Sequence, residues 1–180
     1  MSLAKVPVAQ AIAEFDRYHL VIDARSPSEY ALDHLPGAVN WPTLNDAERH
    51  EVGAEYKQIS AFEARKRGAV MAARNVAAHL EREVQDQPRD WHPLVYCWRG
   101  GQRSGALATV LGQIGFAVHQ LEGGYREFRR AVLAQLDELP ARLDLRVLCG
   151  KTGSGKSRLL VALAAAGAQV LDLEALACHR

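Results

Sequence analysis

Three short strand-like runs, HLVIDAR (19–25), PLVYCW (93–98) and AVHQLEGG (117–124), are each followed by a segment with helical spacing. No other feature restricts the fold of this chain as tightly. The first run leads through Ser26 and Pro27, a pair that starts helices, into SPSEYALDHL (26–35) with Glu29 in its first turn. The second leads into QRSGALATVLGQIGF (102–116), with small and apolar residues on one face and a close at Gly115. The third leads into the amphipathic YREFRRAVLAQL (125–136). Parallel strands need long crossovers, and those crossovers lay helices on the sheet, so the alternation predicts a central parallel sheet flanked by helices on both faces. Between the first two runs, PGAVNWP (36–42) reads as a turn and a brief extended piece. From Asn45 to about Gln85 the chain is rich in Ala, Glu, Arg and Lys, and two helices are expected, broken near Ile59-Ser60 or at Gly68.

Composition sets the outer bounds. A length of 180 residues suits one ordinary domain plus part of another, and 48% hydrophobic with 24% charged residues is a globular balance. No apolar run approaches the ~18 residues of a membrane span, so no membrane partner is expected. The N-terminus lacks the layout of a secretory leader. Three unevenly spaced cysteines make no disulfide framework, which points to a reducing, cytoplasmic setting. A net charge of +1 neither selects nor excludes nucleic acid. Residues 1–138 read as one α/β domain with 45–90 as a helical insertion, 139–144 as a linker around Pro140, and 145–180 as the truncated start of a second α/β domain.

The stretch VYCWRGGQRSG (95–105) places Cys97 between a strand and a helix. A strand, a glycine-containing loop and a helix start aim backbone N–H groups at one point and form an anion-binding nest. A thiol held there is stabilised as its thiolate, the nucleophilic form. Gly100 and Gly101 let the loop turn its amides inward, and Trp98, Arg99 and Gln102 complete the cradle. Arg103 offers a planar fork for an oxyanion, and Ser104 can cap the helix or bond the sulfur. A free cysteine is more commonly a small buried hydrophobe. Cys149 and Cys178, which lack this setting, are read as such packing residues.

A second loop, GKTGSGKS (150–157), fits the phosphate-binding pattern G-x-x-x-x-G-K-[ST] at every fixed position. It lies between the strand-like LRVLCG and the helix-like RLLVALAAAG, with a further strand and helix start in AQVLDLEAL. Gly150, Gly153 and Gly155 leave amides free for a β-phosphate, Lys156 supplies a point charge, and Ser157 can ligate a metal ion. Whether a nucleotide or Mg2+ belongs there stays open, and no metal-ligand set is assigned. Asp172 can support a metal or a base, or simply cap a helix. A domain of this type needs more strands than 145–180 can supply, so the chain is expected to be an N-terminal fragment with an incomplete second domain.

VIDARSPSEYALDHLPGAVNWP resembles the first half of a rhodanese (sulfurtransferase) domain, and VYCWRGGQRSGALATVLGQIGFAVHQLEGGYREFR resembles its second half. The resemblance implies a rhodanese-like fold over roughly residues 5–135 and a Cys97 that carries a chalcogen atom as a persulfide or perselenide. Asp23 and Arg25 match an early D-x-R, read as a structural ion pair. The spacing from Cys97 to Arg103 is C-x5-R, one residue longer than is frequent in single-domain rhodaneses and shared with cysteine phosphatases. The order of CWRGGQRS, GGYREFRR, a short linker and a Walker-type loop is similar to that of bacterial tRNA 2-selenouridine synthases. That resemblance implies replacement of the sulfur of a wobble 2-thiouridine in tRNA by selenium from selenophosphate, with geranyl diphosphate as co-substrate for an S-geranylated intermediate. It further implies a selenophosphate-producing enzyme as a partner. The expected division of labour gives Cys97, Arg103 and the loop amides the selenium step, and Lys156 with Ser157 a diphosphate. Candidate tRNA contacts are Arg65, Lys66, Arg67 and Arg74 in one cluster and Arg126, Arg129 and Arg130 in another. Trp41 and Trp98 can stack on a base or pack inside. Three rivals stay open: a general sulfurtransferase fused to an NTPase module, a C-x5-R phosphatase, and a binding module without catalysis.

Overall fold

The computed structural model describes residues 3–177, which divide into two compact units, up to Glu138 and from Leu139. In the first unit five parallel strands run in the order β1-β5-β4-β2-β3: β1 (Ala4–Val6), β2 (Leu20–Asp23), β3 (Val39–Asn40), β4 (Pro93–Tyr96) and β5 (His119–Leu121). The register sets Asp23 beside Tyr96 and Val95 beside Gln120, so β2, β4 and β5 end close to one another. The helices are α1 (Val8–Ala13), α2 (Pro27–Leu32), α3 (Asp46–Gln58), α4 (Ala61–Glu83), α5 (Gln102–Ile114) and α6 (Gly124–Glu138).

Successive side chains on a strand alternate between faces, and this parity builds the core on both sides of the sheet. Leu94 and Tyr96 of β4 join Val6, Val21, Leu121 and Tyr125 in one cluster, to which α1 contributes Val8 and Ala11. Val95 and Cys97 take the opposite parity and join Ile22, Ala24, Val76 of α4, and Leu107, Ala108 and Leu111 of α5. The buried, apolar character of β4 follows, since helices cover it on both faces.

The expected parallel sheet and helical insertion are present. The break falls at Ile59-Ser60, where the Ser60 side chain accepts from the Phe62 N–H and caps α4. Gly68 is no break: it lies within α4, where an added Cβ would make only ordinary van der Waals contact with Val52 of α3. Two elements were not expected, β1 and α1. β1 is a three-residue edge strand that exists through its pairing with β5.

The second unit departs from expectation. Among the described residues from Leu139 onward there is no strand, and neither LRVLCG nor AQVL forms one. A strand is defined by ladder bonds to a neighbour, and among the described residues these two stretches make none. Its helices are α7 (Lys156–Ala165) and the short α8 (Leu173–Leu176).

Candidate active site

β4 ends at Tyr96, and residues 97–101 turn directly into α5. Gly100 sits at φ +63° and Gly124 at φ +61°, a region closed to most side chains. Space is denied as well as conformation. A Cβ on Gly100 would stand 2.4 Å from the Leu121 carbonyl oxygen, and one on Gly124 would stand 2.1 Å from that of Cys97. The loop is thus pressed against the start of α6, where the Tyr125 N–H donates to the Cys97 carbonyl at 2.9 Å and the Arg126 N–H to that of Trp98 at 3.1 Å.

Among the described residues the N–H groups of 98–103 have no acceptor, so a run of donors is left at the mouth of the loop and the N-terminus of α5. The thiol does not stand open at the centre of the loop, however. Cys97 is 3% exposed and packs with the α4–α5 core, as the inward parity of β4 requires. The hydrogen-bond donor found on its Sγ among the described residues is the Ser104 hydroxyl, at 3.2 Å.

Ser104 is aligned by a residue that sequence reading passed over. Gln120 of β5, 3% exposed, directs its Nε2 to the Gly100 and Gly101 carbonyls at 3.0 and 3.1 Å and to Ser104 Oγ at 2.8 Å. The two carbonyls require the amide nitrogen on that side, and a donor into Ser104 Oγ leaves the hydroxyl proton for Sγ or for the Gly101 carbonyl at 3.3 Å. A glutamine in a strand carries no sequence signal of this role. Gln120→Glu, which sets carboxylate oxygens against both carbonyls, should lower stability by about 1–3 kcal/mol in urea denaturation. Unchanged stability would show that the amide does not hold the loop.

Arg103 is placed at the loop, but its fork is engaged: Nη1 and Nη2 donate to Glu29 at 2.5 and 3.4 Å. Glu29 also accepts from the Ser26 N–H, closing the capping box of α2, and from Arg49 of α3 at 2.9 Å. Burial opposes the charge on Glu29, yet Arg103 and then Arg49 outweigh it and hold the carboxyl below its usual range. This contribution to stability is present above the unfolded-state pKa and is lost as pH falls through the lower folded value.

Asp23 and Arg25 form a buried pair, with Arg25 Nη2 at 2.7 Å from Asp23 Oδ2 and at 2.6 Å from the Asp33 carbonyl, in keeping with the structural reading. The basic clusters are largely compensated. Lys66 pairs with Glu63, Arg67 with Glu51 and Glu55, Arg129 with Asp33, and Arg130 with Glu127, while Arg65 caps the Ala61 carbonyl. Arg74 lines a shallow polar pocket beside Lys66 and Arg67. Trp41 is buried against His79 and cannot receive a base, whereas Trp98 is exposed. Next to the cysteine loop an apolar groove of about 580 Å³ runs between α4 and α5, from Gln102 and Gly105 along Ala69, Ala73 and Leu80.

In the second unit the glycine-rich loop leads into α7 at Lys156, with Gly153 and Gly155 at φ +80° and +83°. Lys156 Nζ donates to the Gly150 and Lys151 carbonyls at 2.8 and 2.9 Å and so folds over its own loop. Asp172 caps α8 by accepting from the Glu174 and Ala175 N–H groups. Cys149 is exposed, against the packing role read for it, and Cys178 lies outside the described residues.

The rhodanese-like domain model matches residues 7–131, and the chain belongs to that family. Its N-terminal unit is similar in structure to the N-terminal domain of a Clostridium difficile 630 protein described as ATP/GTP binding, with TM-score 0.60 and 30% identity, over 73% of this chain and 99% of that one. More particularly, curated relatives are tRNA 2-selenouridine synthases, selenotransferase enzymes. The one from Nitrosomonas europaea is 39% identical over 89% of this chain and 42% of its own length. Those from Bdellovibrio bacteriovorus and Shewanella halifaxensis are 37% and 33% identical over the whole of this chain and 47% and 48% of theirs. The chain spans about half the length of the curated relatives it matches. Among the described residues no helix is long and apolar enough to cross a membrane.

Proposed function

We propose that this chain carries the selenium-handling half of a tRNA 2-selenouridine synthase, with Cys97 as the atom that receives the chalcogen. The observation that carries the reading is the run of amides at 98–103, without an acceptor among the described residues, in the loop that follows a cysteine backed by Ser104 and Gln120, in a chain whose relatives bear that name. The amides suit the phosphate oxygens of selenophosphate, and Arg103 can exchange Glu29 for them. Attack of the Cys97 thiolate on selenium forms an S–Se bond and breaks the Se–P bond. The electron pair stays on phosphorus, which takes up a proton and leaves as phosphite. Phosphate release would instead leave selenium as selenide with no bond to sulfur.

The groove between α4 and α5 has the lining for a geranyl chain carried on the RNA sulfur, an alkyl group that turns that sulfur into a leaving thiol. The Lys156 loop, with Ser157, is assigned the diphosphate of geranyl diphosphate; its folded-over lysine is free to turn to an incoming anion. A phosphatase reading is less well supported, because the curated relatives are named for selenouridine synthesis and not for phosphate-ester hydrolysis.

Intact mass after incubation with selenophosphate tests the reading. A gain of one selenium atom mapping to Cys97, with phosphite as the phosphorus product, is the expected result. Because Cys149 is exposed, the adduct must be placed by peptide mapping. Phosphate as the sole product with an unchanged protein mass rejects Cys97 as the carrier, and loading by thiosulfate alone favours the general sulfurtransferase.

A further inference from the structure

At the rim of the cysteine loop stands an aromatic stack that the sulfur chemistry does not use. Trp98 is 39% exposed, whereas Trp41 and Trp91 are 5% and 3% exposed. The Trp98 ring lies on that of Tyr125 at 5.6 Å with 29° between the planes. Tyr125 is covered in turn by the Arg25 guanidinium, 4.1 Å from its centroid, and is 4% exposed. The stack therefore runs from buried Arg25 through Tyr125 to Trp98 and ends at solvent. Its position is tied to the thiol, because the Tyr125 and Arg126 N–H groups hold the Cys97 and Trp98 carbonyls.

Some of the charge beside the stack is paired and some is not. Arg103, Arg129 and Arg130 each meet a carboxylate, but among the described residues Arg99 and Arg126 meet none. Both adjoin the stack in sequence, one following Trp98 and the other following Tyr125. A flat π-face with two uncompensated guanidinium groups matches a single-stranded nucleic acid, whose unpaired bases stack on aromatic rings while its phosphates meet arginine.

We propose that Trp98 is a stacking platform for an unpaired nucleobase of the RNA substrate, with Arg99 and Arg126 taking the neighbouring phosphates. The proposal rests on the tRNA reading above and adds the surface by which that RNA approaches the thiol. Held on the residue next to Cys97, a base is oriented relative to the sulfur before any transfer takes place.

A short single-stranded RNA and the wild-type chain suffice for the first measurement. Binding should quench tryptophan fluorescence, and the signal reports Trp98 because the other two indoles are buried. Trp98→Ala should weaken RNA binding roughly ten-fold or more, while Trp98→Phe, which keeps a ring, retains most of it. Inorganic polyphosphate, which offers charge without bases, should bind Trp98→Ala as it binds wild type. Arg99→Ala and Arg126→Ala should each flatten the salt dependence, by about 0.7 in the log–log slope. RNA binding without quenching, equal RNA affinity in Trp98→Ala, or no RNA binding by the wild-type chain overturns the platform. Selenium loading of Cys97 is read separately, so its failure beside an intact quench rejects the enzyme reading and spares this one.

Discussion

Cys97→Ser should abolish selenium transfer, a loss of at least about a thousand-fold, while leaving the fold intact. Serine differs from cysteine by one atom, and its hydroxyl can keep the hydrogen bond with Ser104, so the α4–α5 core is barely disturbed. What is removed is a polarisable nucleophile able to form a stable bond to selenium. The relevant pair of measurements is selenation and geranylation of a 2-thiouridine RNA, assayed separately in a protein carrying both loops. Cys97→Ser should lose the first and spare the second. Lys156→Ala should do the reverse, because on the proposed assignment it removes the point charge that meets a diphosphate rather than a chalcogen carrier. Equal loss of both steps in both variants would show that the loops do not divide the work.

Much of this was open to a reader of the sequence, for identifiable physical reasons. Burial on both faces is written in β4 as an unbroken apolar run, and the turn chemistry of Gly100 is local, so the strand, loop and helix around Cys97 could be placed from a dozen residues. Partners distant in sequence could not. Glu29 meets Arg103 across a separation of 74 residues, and nothing in SPSEYAL announces that its capping carboxylate also ties α3 and α5 together. Gln120 gains its role only when β5 pairs beside β4. The inward aim of the thiol was missed for a related reason. Loop composition argues for an anion nest, whereas strand parity decides where the side chain points, and the two had to be read together. The segment from Gly150 shows the converse: the helix after its glycines forms, while the strand before them depends on neighbours and does not.

Arg25→Leu should be the most destabilising single change of those considered, costing about 3–5 kcal/mol. Asp23 is 0% exposed, and its carboxylate accepts the Arg25 N–H at 2.8 Å and the guanidinium at 2.7–3.0 Å. Removing the fork strands a buried charge and frees the Asp33 carbonyl it also holds. Burial opposes the positive charge on Arg25, but Asp23 outweighs it and holds the guanidinium pKa above its ordinary value. The damage should reach the site, because Arg25 also underlies Tyr125 and therefore Trp98. Asp23→Leu in the Arg25→Leu background removes the stranded charge and should recover a large part of the loss, since an apolar pair can replace a buried ion pair at little net cost. Urea denaturation of the single and double variants decides the matter. A single variant within about 1 kcal/mol of wild type, or a double variant no better than the single, would mean that the pair is not what fixes the end of β2 beneath the cysteine loop.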